Sequence, residues 1–328
     1  METTLHPKNA SVNLPFLCYN GFMHVMNNNV NIGRIFMTQY RRLITGIFYL
    51  IVSAFFFALM AAFVRLSGDL PSPQKAMFRN LIAAIAAAAY MVRHGISFRA
   101  GKRENLRWVL ARSISGLTGV LMNFYAIDRL NLGNASVLNK FSTFAAIIFS
   151  IFILGEAATA AQYLIVAGAF AGVLLVIKPS PANMMLFPSV IGFLSGVCAG
   201  LAYTCLRRAT RGGENGKFIV FFFSTFSTVV LLPWVITHYV PMTAAQTIFL
   251  LLAGASAAGG QFAITAAYTY APAKEISIYD YSQIIFSTAL GYFLFGQVPD
   301  ILSVAGCAVI IAMAVLMYLY NRKKTEAA

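Results

Sequence analysis

Charged residues are scarce in this chain, and their scarcity excludes a soluble protein. Only 10% of the 328 residues are charged, whereas 59% are hydrophobic. Soluble domains carry roughly 25% charged residues, and a soluble protein of this length could not cover its surface with so few. The chain is therefore predicted to be a polytopic membrane protein of the all-α class.

Cysteine is also scarce, which argues against metal and disulfide frameworks. The four cysteines are Cys18, Cys198, Cys205 and Cys307. They show neither metal-ligand spacing nor a paired pattern, and three of them lie inside apolar runs. They are interpreted as small core residues. No metal site and no bound cofactor are predicted.

Signatures of enzymes are missing as well. The sequence contains no His-Glu-x-x-His, no Gly-x-Ser-x-Gly elbow and no phosphate-binding Gly-x-x-x-x-Gly-Lys-Ser/Thr. Its internal hydrophilic connections are too short to form a catalytic or nucleotide-binding domain. The chain is not predicted to be an enzyme and has no catalytic residues to assign. Any transport must be driven by a substrate or ion gradient.

Long apolar runs are what the sequence has in abundance. Ten segments approach the roughly 17–25 residues that cross a membrane as a helix. They are 43–66, 74–92, 106–127, 133–154, 160–177, 188–206, 217–239, 244–270, 275–295 and 298–320. Residues 1–42 are predicted to be a disordered tail, or upstream sequence translated from a wrongly chosen start. Residues 321–328 are predicted to be a basic cytoplasmic tail.

The distribution of positive charge indicates the orientation of these segments. The net charge of +14 comes from short basic clusters in alternate connections between apolar runs, and no nucleic-acid partner is predicted. Basic connections stay in the cytoplasm. Both termini are therefore predicted to be cytoplasmic, and the lipid bilayer is the expected environment.

A proline-marked linker (Pro179, Pro181, Pro188) divides the ten segments into five and five. The halves span residues 43–178 and 188–320. Because five is odd, a duplicated second half must enter the membrane from the opposite side. The sequence thus predicts an inverted repeat about a pseudo-two-fold axis in the membrane plane.

Two stretches with a similar pattern support this duplication. The stretch Asn134–Glu156 and the later stretch Glu275–Gln297 each begin with polar residues, continue as an apolar run and end in glycine followed by a carboxylate or amide. At an offset of 141 positions, Gly155 coincides with Gly296. The two stretches are predicted to be the fourth and ninth helices, antiparallel across the axis.

Polar side chains within the apolar segments carry the functional signal, because a charge in hydrocarbon costs several kcal/mol and must face protein or water. Lys140 shares a helix face with Ser136 and Asn139, and Asp280 shares one with Ser287. Lys140 and Arg79 are predicted to contact a substrate anion near the outer side, and Asp280 a cationic group nearer the cytoplasm. The candidate substrate-binding residues are Tyr49, Arg79, Asn123, Asn139, Lys140, Tyr203, Gln261, Tyr268, Tyr279, Asp280, Tyr281 and Gln283.

Structural roles are alternatives for several of these residues. Arg79 could extend to the lipid headgroups, and Asp280 could be the structural partner of a lysine or arginine across the bundle. The glycines at 192, 196 and 200 stripe one helix face. Such a stripe suits close internal packing, a homodimer interface or a moving seam between helices.

Several short motifs, in their order along the chain, resemble the EamA-type transporters of the drug/metabolite transporter superfamily. The motifs are Phe-Arg-Asn-Leu at 78–81, Asn-Phe-Tyr-Ala-Ile at 123–127, Phe-Ile-Leu-Gly-Glu at 152–156, Ala-Tyr-Thr-Tyr-Ala-Pro-Ala at 267–273 and Tyr-Phe-Leu-Phe-Gly-Gln-Val-Pro-Asp at 292–300. The similarity covers roughly residues 43–320. Gln297 departs from the family pattern, which usually has glutamate there.

This resemblance implies a carrier of the bacterial inner membrane with alternating access and a central cavity. The leading hypothesis is export of amino acids or related small metabolites. The alternative within transport is import of a larger cofactor-like compound, such as a vitamin or nucleoside derivative. An intramembrane enzyme, a scaffold and a channel are weaker alternatives.

Overall fold

The apolar part of the chain is covered by a computed structural model that describes residues 41–99, 101, 103–155, 158–178, 184–270 and 276–326. Within these ranges, the description covers only the backbone at positions 265, 268, 269, 277 and 321–326. The predictions for residues 1–40, for the side chain of Tyr268 and for the side chains of the basic tail lie outside the described part.

Helices supply all the regular secondary structure of the described residues. They are α1 (Arg41–Leu66), α2 (Ser72–Arg93), α3 (Leu106–Arg129), α4 (Leu132–Lys140), α5 (Ser142–Leu154), α6 (Ala160–Ile177), α7 (Leu186–Arg211), α8 (Gly216–Thr237), α9 (Ala244–Tyr270), α10 (Ser282–Phe295) and α11 (Ile301–Glu326). Short 3₁₀ turns at Arg103–Asn105 and Ser277–Tyr281 precede α3 and α10.

Eight stretches of the described residues are long and apolar enough to cross a membrane, with α4 and α5 taken together as Leu132–Leu154. The two other predicted segments correspond to α3 and α10. Helix α3 has the length but carries charges such as Arg112 within it. Helix α10 is only 14 residues long, because the chain before it is wound as a 3₁₀ turn. The prediction of a polytopic all-helical membrane protein is confirmed.

Local sequence sets several helix boundaries. Thr159 and Gln162 form a reciprocal capping box at the start of α6. The side chain of Asn215 accepts a hydrogen bond from the backbone N–H of Lys217 at the start of α8. Gly155 and Gly296 end α5 and α10 in the left-handed region, with φ of 67° and 63°, which glycine adopts without strain.

Four helix ends meet at one end of the bundle, which the charge pattern predicts to be cytoplasmic. Met91 of α2, Val109 of α3, Ala209 of α7 and Phe218 of α8 are buried against one another there. Next to them, the side-chain amide of Asn105 donates a hydrogen bond of 2.9 Å to the carbonyl of Gly212. The contacts tie the connection before α3 to the connection after α7.

Polar contacts join helices at the opposite end of the bundle. Lys75 at the start of α2 forms an ion pair of 2.7 Å with Asp128 near the end of α3. Arg65 at the end of α1 donates hydrogen bonds to the carbonyls of Ile127 and Leu130. The first three helices are thereby held together at this end.

Helix α7 crosses the centre of the bundle and packs against α3, α4 and α5. A Cβ atom added at Gly196 would lie 2.5 Å from the carbonyl oxygen of Leu138. At Gly200 it would lie 2.7 Å from the carbonyl oxygen of Ser142. The glycine stripe therefore serves close internal packing, one of the interpretations that the sequence allows.

Candidate functional site

Two spans are interrupted near the places where polar residues enter them. Helix α4 ends at Lys140 and α5 begins at Ser142, with a tight turn in which the N–H of Phe141 donates to the carbonyl of Leu138 at 3.3 Å. In the other span, the 3₁₀ turn Ser277–Tyr281 comes first and regular α-helix begins only at Ser282. Breaks of this kind inside membrane spans often mark functional hinges and binding sites.

An ion pair joins the two breaks. The ammonium group of Lys140 contacts Oδ2 of Asp280, and we refer to these residues as the lysine–aspartate pair. Lys140 is only 7% exposed. Beside the pair, the hydroxyl groups of Ser136 on α4 and Ser287 on α10 are hydrogen-bonded at 2.7 Å. The two polar faces identified in the sequence therefore meet each other across the bundle.

The lysine–aspartate pair alters the roles assigned to these residues from the sequence. Sequence analysis assigns Lys140 and Asp280 to separate contacts with the substrate, with a lysine or arginine partner across the bundle as the alternative for Asp280. The structure shows such a pair. Oδ1 of Asp280 is buried and has no hydrogen-bond partner among the described residues. The carboxylate thus keeps one oxygen free to accept a proton or a hydrogen bond. Next to it, Tyr281 is buried and Tyr279 is 40% exposed.

Two arginines form a second buried polar site, between α2, α3 and α8. Arg79 on α2 is 6% exposed and Arg112 on α3 is 8% exposed. Arg79 donates a hydrogen bond of 2.7 Å to Oδ1 of Asn80. The Arg112 guanidinium lies over the ring of Phe223 at 4.3 Å and packs on Gly116. We refer to Arg79 and Arg112 as the arginine pair.

The arginine pair and Tyr203 lie together. The two positive charges are close enough to repel each other, and the side chain of Tyr203 lies within electrostatic range of both. Sequence analysis singled out Arg79 and Tyr203 but missed Arg112. The signal for Arg112 is its place six residues inside the predicted span 106–127. Basic residues close before it belong to the connection, and Arg112 is easily grouped with them.

Other predicted residues have no described side-chain contact with either pair. Asn139 donates a hydrogen bond of 3.0 Å to Ser195 on α7 and so holds helices together. Tyr49 stacks on Tyr270 at 5.7 Å near the start of α1. Three further candidates, all partly buried in their helices, are Asn123 on α3, Gln261 on α9 and Gln283 on α10.

A cavity of about 770 Å³ opens at the end of the bundle where Lys75 and Asp128 pair. It is lined by the connection before α2, by the last turns of α3 and by the start of α7, with Asp69, Tyr125 and Arg129 among its walls. Neither the lysine–aspartate pair nor the arginine pair lines it. No group of three or more histidine, cysteine, aspartate or glutamate side chains that could hold a metal ion occurs in the described ranges.

A bundle of membrane-spanning helices, with ionisable side chains buried at breaks in two of them, is the architecture of a membrane transporter. Comparison with known proteins agrees. The model of the EamA-like transporter family matches residues 44–178 and again residues 186–319. The chain belongs to this family, whose members are transporters and not enzymes.

Curated relatives share most of their length with this chain. The pseudopaline exporter CntI of Pseudomonas aeruginosa is 28% identical over 275 residues, covering 83% of this chain and 95% of the exporter. The human solute carrier family 35 member G1 is 22% identical, covering 81% of this chain and 77% of the carrier. The S-adenosylmethionine uptake transporter of Rickettsia prowazekii is 21% identical, covering 78% and 85%.

The fold also has a counterpart among solved structures. One crystal structure superimposes with a TM-score of 0.60 at 17% identity, covering 85% of this chain and 98% of the other. At this identity the match shows a shared fold and nothing about the substrate.

Proposed function

We propose that this chain is a secondary transporter that exports small polar metabolites, amino acids or related compounds, by alternating access. It would lie in the bacterial inner membrane with both termini in the cytoplasm. The observation that carries the proposal is the lysine–aspartate pair, because it joins the two family-matched parts of the chain at interruptions in their helices.

An inverted repeat of two five-helix halves is part of the proposal. The family model matches twice, and each half contributes a span that is interrupted and then ends in a left-handed glycine. The packing of α2 with α8, of α4 with α10 and of α6 with α11 pairs three of the spans with their counterparts in the other half. A pseudo-two-fold axis between the halves predicts this pattern, and rocking of one half against the other would alternate access.

The lysine–aspartate pair would serve as the contact that changes during this rocking. Residues in contact across a moving interface must separate or slide, and a buried ion pair is costly to separate unless another charge replaces a partner. A substrate that carries an amino group or a carboxylate could replace one of them. The free Oδ1 of Asp280 is the natural first contact for a substrate ammonium group.

Two relatives differ in the direction that their names state, one being an exporter and one an uptake transporter. Export is the first proposal because the exporter is the more similar of the two, at 28% against 21% identity. The second proposal, import of a larger cofactor-like compound, is supported by the uptake transporter and by aromatic side chains such as Tyr203 and Tyr279, which could stack on a ring.

Counterflow in proteoliposomes tests the proposed function. Vesicles are loaded with an unlabelled probe, and uptake of the same compound in labelled form is followed. One experiment uses a mixture of amino acids, and a separate one uses S-adenosylmethionine. Transient accumulation of label requires alternating access, whereas a channel only equilibrates it. Accumulation of the amino acids supports the first proposal, and accumulation of S-adenosylmethionine alone favours the second.

The lysine–aspartate pair is tested in the same vesicles. Lys140→Ala should abolish counterflow when it is compared with the unaltered protein at equal amounts of folded, inserted protein. The matched control is Arg93→Ala, which removes an exposed basic residue at the end of α2. Full counterflow of every transported probe by the Lys140 variant would contradict the role assigned to this residue.

A further inference from the structure

The arginine pair differs from every buried lysine that the structure describes in one respect. Lys75 and Lys140 each face an aspartate, at Asp128 and Asp280 respectively. Neither Arg79 nor Arg112 has a carboxylate partner among the described residues.

Donor groups of the arginine pair also remain unused. The Nε atoms of Arg79 and Arg112 and the side-chain nitrogen of Asn80 are buried without a hydrogen-bond acceptor in the described part of the chain. A guanidinium has five N–H donors in a rigid fork that matches the two oxygens of a carboxylate or phosphate. Two such forks and an amide therefore offer donors with no protein acceptor.

Burial makes this arrangement costly without a counter-ion. A cation removed from water loses its hydration, and a second cation nearby adds repulsion that the low-dielectric interior screens poorly. Elsewhere in this bundle the same cost is offset by an aspartate. At the arginine pair, a bound anion would offset it and would use the free donors at the same time.

Tyr203 is the exposed member of this site. It lies two helical turns from Gly196, on the same face of α7, and Gly196 packs against the backbone of α4. This face points into the bundle, yet Tyr203 is 51% exposed. Tyr203 therefore offers an exposed polar group on α7, toward the end of that helix that is predicted to be cytoplasmic.

We propose that Arg79 and Arg112, with Asn80 and Tyr203, bind an oxyanion of the transported substrate, a carboxylate or a phosphate. The proposal rests on the proposed transport function and narrows its substrate to an anionic or zwitterionic metabolite. A substrate with two acidic groups would occupy both guanidinium groups, and its ammonium group, if present, would be left for Asp280.

Binding to the purified protein tests the oxyanion site without requiring transport. Isothermal titration uses two probes, glutarate as a dicarboxylate and inorganic phosphate, with chloride as the reference anion. Arg79→Met and Arg112→Met should weaken binding of the preferred probe about 10- to 100-fold, which corresponds to loss of hydrogen bonds to a charged group. Arg112→Lys keeps the charge and should weaken it less. The control Arg93→Met should bind as the unaltered protein does.

Each outcome decides the proposal. Stronger binding of glutarate identifies a carboxylate site, and stronger binding of phosphate identifies a phosphate site. Absence of binding for both probes, or equal binding by the Arg79, Arg112 and Arg93 variants, would overturn the oxyanion site. Intact binding together with absent counterflow would instead overturn the proposed transport function, so the two failures are distinguishable. If the methionine variants do not fold, Arg112→Lys and Gly116→Ala supply the comparison.

Discussion

The lysine–aspartate pair and the arginine pair both contain buried positive charges, but they differ in how those charges are neutralised. Lys140 is neutralised by Asp280 of the other half, whereas Arg79 and Arg112 have no acidic partner in the described structure. Both cations of the arginine pair are buried to the same extent as Lys140, at 6% and 8% exposure against 7%. We propose that the first site stabilises contact between the halves and that the second binds a ligand.

Separating the members of the lysine–aspartate pair should have the largest effect. Lys140→Met leaves Asp280 buried without its partner, and removal of one partner from a buried pair costs about 3–5 kcal/mol. Lys140→Met with Asp280→Asn removes both charges and should recover most of that loss. Thermal or denaturant unfolding of the four proteins in a double-mutant cycle measures the coupling; additive effects would show that the two residues do not stabilise each other.

Forcing α7 and α4 apart should have the next largest effect on stability. Gly196→Ala forces a Cβ atom to 2.5 Å from the Leu138 carbonyl, and overpacking of this kind costs about 1–3 kcal/mol. The control is Gly216→Ala at the start of α8, where no atom lies within 4 Å of the new methyl group. A lower melting temperature for the Gly196 variant alone is expected, and equal melting temperatures would contradict the close contact.

A third prediction disturbs the arginine pair without removing a charge. The guanidinium of Arg112 packs on Gly116, so the methyl group of Gly116→Ala must displace it. We expect about 10-fold weaker binding of the oxyanion probe, equivalent to one charged hydrogen bond, with unchanged helix content by circular dichroism. Unchanged affinity would show that the position of Arg112 is unimportant for binding.

The smallest effect is expected at an ion pair outside the buried region. Partial burial raises the pKa of the Asp300 carboxyl, but hydrogen bonds from Lys178 and Ser303 outweigh it and lower the pKa from 3.8 to about 2. A lowered pKa in the folded state contributes stability that is present above about pH 4 and lost as the pH falls toward 2.

Because the side chain of Asp300 is about half exposed, this contribution should stay below about 1 kcal/mol. Asp300→Asn should therefore lower the melting temperature slightly at pH 6 and leave it unchanged relative to the unaltered protein near pH 2. An equal difference at both pH values would contradict the titration of Asp300.

Much of the fold follows from periodic and compositional signals in the sequence. Segments 160–177 and 244–270 coincide with α6 and α9, because long apolar runs between polar connections leave little choice of boundary. The interruptions were not predicted. The break at Phe141 contains neither proline nor glycine, and Gly196 and Gly200, which pack near it, lie on another helix.

The site was predictable residue by residue but not as a set of contacts. Burial of Lys140 and Asp280 in apolar runs marked both as functional, and their antiparallel placement followed from the proposed repeat. Their ion pair depends on how far two helices are shifted relative to each other along their axes. Side-chain spacing within one helix does not determine that shift. Arg112 was missed because its distance from the end of α3 resembles that of a residue that could extend to the headgroups.

One measurement compares the two regions directly: the melting temperatures of ligand-free Lys140→Met, Arg79→Met and Arg112→Met in the same detergent. Methionine fills a similar volume in all three and removes one buried positive charge. The account predicts opposite signs, a lower melting temperature for the Lys140 variant and an equal or higher one for both arginine variants. A comparable decrease in all three variants would contradict the distinction between a paired contact and an unoccupied anion site.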